Sequence, residues 1–343
     1  NENRPIFAEE AFQLYDTFGI PLEVVTTHAQ DAGVGVDAAG FEHLLEKQRE
    51  RARAAGGDKD IAKVFWRSLD LSGVSPTTFL GYEKTESEAT ILKIFENRYV
   101  VTDQTPFYVE SGGQVSDQGV IRTLVKPVSE FSVLDMVKGP DGILFHVVDS
   151  AQDLAPGMKV RLAVNLKSRT ATEKNHTATH MLHAALRKIL GESTKQAGSL
   201  VAPELLRFDF SAAGALDKET LRRVEETINE KIKADIALNK IELPYDEAVK
   251  SGAIAFFGEK YGDKVRVIDI PGYSKELCGG THVARSGDIG IFKIASEGSV
   301  AAGVRRIVAY TGDGVGEYLH HRLQQHKQEM ARLMDKIPQD LEE

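Results

Sequence analysis

Ser168-Arg-Thr-Ala-Thr-Glu-Lys-Asn-His176-Thr-Ala-Thr-His180-Met-Leu-His183-Ala-Ala-Leu-Arg-Lys-Ile-Leu190 reads as one long helix, stopped by Gly191, since glycine enters the left-handed conformation that closes helices. His176 and His180 stand four residues apart, which puts both imidazoles on one face about a turn from each other. Far downstream, Cys278-Gly-Gly-Thr-His282 repeats the spacing with a thiol in the first position. Cys278 is the only cysteine, so no disulfide can form within the chain, and a lone thiol in a Gly-Gly turn is a poor core filler. Together the two pairs offer His176, His180, Cys278 and His282 as imidazole and thiolate donors, the set that zinc favours. Gly279 and Gly280 allow the close backbone approach that aims the thiolate. His183 lies off the line of the first pair and is expected to support a ligand or face solvent rather than ligate. Spacing leaves the metal's role open. Four protein ligands close a structural tetrahedron, whereas a catalytic site keeps a position for water.

Upstream of the helix the period falls to two. Residues 89–95 and 99–102 read as strands joined by Glu96-Asn97-Arg98, and residues 131–137, 143–148 and 157–164 continue the pattern. Short strands with turn signals at this spacing predict a small antiparallel barrel. Residues 8–30 and 37–55 read as helices with stops at Gly19-Ile-Pro21 and Gly56-Gly57. Beyond the long helix, residues 217–239 predict an amphipathic helix capped by Asp217, with Leu221, Val224, Ile228, Ile232 and Ile236 inward. Strands are expected over 199–201, 206–210, 241–245, 265–270, 289–295 and 304–310. Residues 315–343 read as a polar helix with a partial apolar seam at Leu319, Leu323, Met330, Leu333 and Ile337. Helices and strands mix without a βαβ rhythm, so the fold class is α+β: a helical segment, an antiparallel β-barrel, a zinc-containing α+β domain and a C-terminal helix.

Composition bounds the rest. The chain has 343 residues, 42% hydrophobic and 27% charged, with a net charge of −9, which describes ordinary globular protein. No apolar run is long enough to cross a bilayer and no secretory pattern opens the chain. One unpaired cysteine fits a reducing compartment, so the expectation is cytoplasmic. The chain opens on Asn1, and we read it as a segment of a longer polypeptide. The acidic balance does not exclude RNA, because local basic surface sets phosphate contacts. Candidate clusters are Arg49, Arg51 and Arg53; Arg222 and Arg223; and Arg305 and Arg306. Thr105-Pro-Phe-Tyr-Val-Glu-Ser-Gly-Gly-Gln-Val-Ser-Asp-Gln-Gly119 packs aromatic, glycine and polar groups into one turn, and reads as a functional loop or as a well-turned hairpin. Lys195-Gln-Ala-Gly-Ser199 follows the histidine helix, where Gln196 fixes a ligand through its amide or caps a strand. No P-loop, dinucleotide fingerprint or nucleophile elbow is found.

Across these strings, and across residues 9–21, 207–211, 276–282, 287–290 and 297–306, the chain resembles the alanyl-tRNA synthetase family. The resemblance implies that residues 1–85 are the helical tail of a tRNA-recognition region, 86–166 the barrel, 167–312 the editing domain, and 313–343 a helical link to a C-terminal domain. It implies zinc at His176, His180, Cys278 and His282. It further implies hydrolysis of tRNA(Ala) mischarged with serine or glycine, with Thr179, Gln196 and Cys278 as catalytic residues. The implied partners are the tRNA(Ala) acceptor end, with Asp16 as a base contact, and a second copy in a homodimer formed through the C-terminal region of the parent. ATP and Mg belong only to the parent's aminoacylation domain, which this sequence lacks. One departure is Ala212, where the family often carries histidine. Three other readings stay open: a free-standing trans-editing deacylase, a non-catalytic tRNA-binding module with structural zinc, and a general zinc esterase.

Overall fold

The computed structural model describes residues 69–255, 262–301 and 303–334, with scattered positions between 6 and 41. The chain divides into two compact units, residues 1–72 and 73–343. In the first, Ile6 pairs with Val36, and Ala8, Val25, Ala29 and Phe41 are buried. Most of the helices expected over 8–30 and 37–55, and with them Asp16, Arg49, Arg51 and Arg53, lie outside the described residues, as does Ile337 of the C-terminal seam.

The second unit opens with β1 (Thr78–Phe79), which pairs in parallel with β4 (Gln104–Thr105). The barrel closes through β2 (Glu86–Phe95), β3 (Tyr99–Thr102), β7 (Leu144–Val148), β6 (Glu130–Lys138), β5 (Gly119–Thr123) and β8 (Lys159–Val164), in that order. Every pairing in it is antiparallel. Alternation builds it: in β8, Val160 and Leu162 point inward while Lys159 and Arg161 face water. Glu96 and Asn97 turn β2 into β3 with φ of 51° each. Strand β5 was hidden in the sequence because the turn-rich string before it masks the period.

His146 sits fully buried in this barrel. Its Nδ1 lies 3.1 Å from the Val100 carbonyl and its Nε2 2.8 Å from Thr105 Oγ1. Since a carbonyl only accepts, Nδ1 carries a hydrogen. Burial, against the favourable Val100 contact, pushes its pKa down to about 4. A folded-state value below the unfolded one means stability is held above pH 6.5 and lost as pH falls through that value toward 4. We expect unfolding experiments to lose about 3 kcal/mol from this ring over that interval, and the loss to vanish in His146→Gln. An unchanged acid slope in that variant contradicts the assignment.

Helix α1 (Leu166–Leu190) starts two residues before the expected serine, because Asn165 Oδ1 accepts from Ser168 N at 3.2 Å and so caps the first turn. Its inner face, with Ala178, Met181, Leu182, Ala185 and Leu186, packs on a four-stranded sheet of order β14-β15-β10-β9. These strands are β9 (Gln196–Val201), β10 (Leu206–Ser211), β14 (Phe292–Ala301) and β15 (Val304–Thr311). The sheet answers with Phe208, Phe210, Phe292, Ile307 and Ala309. Each fully buried Leu or Phe there is worth about 1.5–3 kcal/mol against exposure.

Helix α2 (Lys218–Lys233) closes the same core through Val224, Ile228 and Ile232. Asp217 caps it as expected, accepting from Thr220 N at 2.7 Å. It ends earlier than the expected residue 239. Asp235 takes a φ of 49°, and the Ile236 N–H goes to Ser286 Oγ instead of a helical carbonyl, so Ile236 meets the core from a loop. A second sheet, of order β11-β12-β13, joins β11 (Asn239–Pro244), β12 (Lys264–Ile270) and β13 (Ser274–Leu277). Helix α3 (Tyr245–Lys250), unforeseen in the sequence, packs Ala248 on it. The strand expected from residue 289 begins only at Phe292, because Ser286–Ile289 form a turn of 3-10 helix. Helix α4 (Asp313–Met334) follows β15, and its Leu319, Leu323 and Met330 stay exposed. The helices and sheets mix as α+β around a closed barrel. No helix among the described residues is long and apolar enough to span a membrane.

Candidate metal centre

Two segments distant in sequence deliver the site. The middle of α1 carries His176, Thr179 and His180, while β13 hands over to the turn Cys278–His282. That turn is held from both sides. Arg266 Nη1 donates to the Cys278 and Gly280 carbonyls at 3.2 and 2.5 Å, and Tyr82 Oη donates to the Gly279 carbonyl at 2.5 Å. The Arg266 guanidinium also lies over the Tyr82 ring, 4.1 Å from its centroid. Gly280 is required by contact: a Cβ there would lie 2.0 Å from His176 Cε1.

His176, His180, Cys278 and His282 converge, with one ligand atom from each lying within 4.8 Å of the others. The sulfur is 3.4 Å from the Nε2 of both His176 and His282. Each imidazole turns its Nδ1 outward to another partner. That of His176 meets Gln114 Oε1 at 2.7 Å, that of His282 meets Thr177 Oγ1 at 3.1 Å, and that of His180 bonds the Glu276 carboxylate. The buried Nε2 of His180 is left with no hydrogen-bond partner. Engaged Nδ1 atoms and inward Nε2 atoms are how proteins orient imidazoles around a cation.

Charge supports the same fit. Burial alone would raise the Cys278 thiol, but His176, His180 and His282 outweigh it and hold its pKa well below the usual thiol range. The sulfur is therefore a thiolate, the form that binds metal. Burial and the neighbouring His176 hold His282 well below the usual imidazole range, so it is neutral. Burial would lower His180 too, yet the Glu276 carboxylate carries it up to about 10. Burial would raise Glu276, but His180 draws it down to about 2. Two buried anions, Cys278 and Glu276, thus face imidazoles, with a proton on His180 as the counter-charge. The inward nitrogens of His176, His180 and His282 with the Cys278 thiolate would hold a divalent cation, whose charge would take the place of that proton and balance both anions.

His183 is not one of the four donors. It is buried, and its Nδ1 meets the other oxygen of Glu276 at 2.8 Å. His320, His321 and His326 are exposed on α4. Glu276, Gln114 and Thr177 carry the outer contacts, and the sequence reading gave none of them a role. Glu276 did leave a trace, as a carboxylate two strand positions before the only cysteine.

A cavity of about 310 Å³ opens beside the cluster. His176, His180, Cys278, Thr179, Gln196 and Ser199 share its wall with the Tyr108–Gly112 loop. Thr179 donates its hydroxyl hydrogen to the Asn175 carbonyl at 2.8 Å, and Gln196 Nε2 donates to Ser199 Oγ at 3.2 Å. All three residues expected to act chemically therefore face one space with two of the donor histidines, while His282 closes the cluster from behind. The basic clusters expected on the surface are largely engaged. Arg222 pairs with Glu219 and Glu226, Arg305 with Glu297, and Arg306 with Asp209.

Comparison with known proteins agrees with this architecture. The family described as tRNA synthetases class II (A) matches residues 1–168, and the threonyl and alanyl tRNA synthetase second additional domain matches residues 265–308, which include Cys278 and His282. The alanine–tRNA ligase of Caldicellulosiruptor saccharolyticus is 45% identical over 334 residues, covering 93% of this chain and 37% of the relative. That of Chlorobaculum tepidum is 46% identical over 329 residues, covering 90% and 36%. That of Thermotoga maritima is 45% identical over 336 residues, covering 92% and 38%. The chain thus spans a little over a third of the length of these relatives, and it belongs to the alanyl-tRNA synthetase family.

Proposed function

We propose that this chain is the editing part of an alanine–tRNA ligase and hydrolyses tRNA(Ala) esterified with serine or glycine. The observation that carries the reading is the shared cavity, which sets a four-donor cluster fit for zinc beside Thr179 and Gln196. A site selecting alanine rejects the smaller glycine weakly, and serine adds only a hydroxyl, so discrimination needs a second, hydrolytic site. In that step water adds to the ester carbonyl carbon, the bond from that carbon to the ribose oxygen breaks, and the ribose oxygen takes up a proton. Zinc, when bound, supplies Lewis acidity toward the ester or its nucleophile. Thr179 spends its hydrogen on Asn175, so its oxygen is an acceptor facing the cavity, suited to a seryl hydroxyl. Gln196 contributes an amide that binds and orients the aminoacyl group. The partners are the acceptor end of tRNA(Ala) and a second copy of the parent, which attaches alanine to tRNA(Ala).

Deacylation of Ser-tRNA(Ala) and Gly-tRNA(Ala) by this chain, with and without a chelator, tests the reading. We expect turnover that the chelator abolishes. Stoichiometric binding without turnover would mean a tRNA-binding module with structural zinc. In Thr179→Val, serine deacylation should drop about 5–10-fold relative to glycine, the worth of one hydrogen bond. An unchanged ratio removes Thr179 from the serine subsite.

A further inference from the structure

The 105–119 loop supplies a residue to the cluster that lies outside both ligand pairs. Gln114 is fully buried and reaches from the barrel side to both halves of the site. Its Oε1 is 2.9 Å from the Thr281 backbone N and 2.7 Å from His176 Nδ1, and its Nε2 donates to Thr281 Oγ1 at 3.0 Å. A backbone N–H can only donate, so the Thr281 contact fixes which end of the amide is oxygen. An amide oxygen can only accept, so that assignment fixes the hydrogen on His176 Nδ1 and leaves the Nε2 lone pair facing Cys278. The loop itself is pinned: Val201 N donates to the Gly113 carbonyl at 2.7 Å, and Val115 N to the Val201 carbonyl at 3.0 Å. Gly113 has a φ of +83°, and a Cβ there would lie 2.3 Å from Ser199 Oγ. The amide therefore cannot drift without moving β9.

We propose that Gln114 is a positioning residue of the metal centre, which sets the tautomer of His176 and clamps the Cys278–His282 turn against α1 through Thr281. The inference rests on the zinc reading above. His180 receives a carboxylate from Glu276, whereas His176 receives a neutral amide, so only one of the two imidazoles carries an anionic outer partner. That choice limits the buried negative charge around the cation to Cys278 and Glu276.

The test is Co(II) and Zn(II) binding to the full chain, read by chelator competition and by the Co(II)–thiolate absorption band. Gln114→Met keeps the volume and removes the acceptor. We expect it to bind Co(II) about 10–100-fold more weakly, the usual effect of losing an outer partner, with a shifted absorption band. Gln114→Glu restores an acceptor for His176 and Thr281 and should recover most of the affinity. Thermal melts of the metal-free chains separate folding from binding. A Gln114→Met chain that binds within twofold of the parent, with an unshifted band, overturns the proposal, as does Gln114→Glu binding no better than Gln114→Met. A parent chain that binds neither metal overturns this inference and the zinc reading together.

Discussion

Cys278→Ala is expected to lose bound zinc and Ser-tRNA(Ala) deacylation together. Each should fall by more than about 100-fold, because loss of an outer partner alone costs 10–100-fold. The sulfur is the hub of the cluster. It lies 3.4 Å from two of the three inward imidazole nitrogens, and it is the one donor held as an anion by its neighbours. Without it, three imidazoles and the Glu276 carboxylate remain, and the charge that offsets a divalent ion's desolvation is halved. The same atom lines the cavity, so alanine also enlarges the space where the aminoacyl group would sit. Metal analysis and single-turnover deacylation on the same preparation check both halves. Equimolar zinc with unchanged turnover in Cys278→Ala would defeat the site as drawn. Retained zinc with lost turnover would confine Cys278 to the chemistry and leave the histidines as a sufficient metal site.

Arg169→Met is expected to destabilise the unit of residues 73–343 by about 3–5 kcal/mol, the typical penalty for stranding one member of a buried ion pair. For a unit of this size that lowers the melting temperature by about 6–20 °C. Arg169 is 1% exposed and Asp117 5%. The guanidinium grips Asp117 through Nε at 3.0 Å and reaches the Gly81 and Pro106 carbonyls at 2.8 and 2.9 Å. Asp117 also accepts from Tyr108 N at 2.7 Å. Arg169 thus ties the start of the histidine helix to three points in the segments that flank the barrel strands and fixes both ends of the loop that carries Gln114. Its removal leaves a buried carboxylate and two unpaired carbonyls. The double variant Arg169→Met with Asp117→Leu should regain part of the loss, since burial of an unpaired charge is then avoided. Additive single effects, with no coupling in the double-mutant cycle, would show that the pair is not the joint described.

Much of this was legible before the fold. Helix α1 was readable from its periodicity and Gly191, and α2 from Asp217 and its apolar stripe. Most barrel strands followed from alternation, and the four donors from the spacing of the two pairs around the only cysteine. Strand β5 was not legible, because Gly112, Gly113 and Gly119 read as turn. The end of α2 was not either, since Asp235 carries no signal as strong as glycine.

The sequence by itself determined which side chains could hold a metal, because residue type and local spacing are intrinsic to the chain: imidazoles one helical turn apart, and a lone thiol in a glycine turn. Only the tertiary structure decided what each donor is worth. That Glu276 makes His180 basic, that Gln114 orients His176, and that Arg169 neutralises Asp117 all follow from contacts between groups far apart in sequence. Such contacts are set by burial and by the packing of α1 against barrel and sheet, and no local pattern encodes partners 52, 62 and 96 residues away.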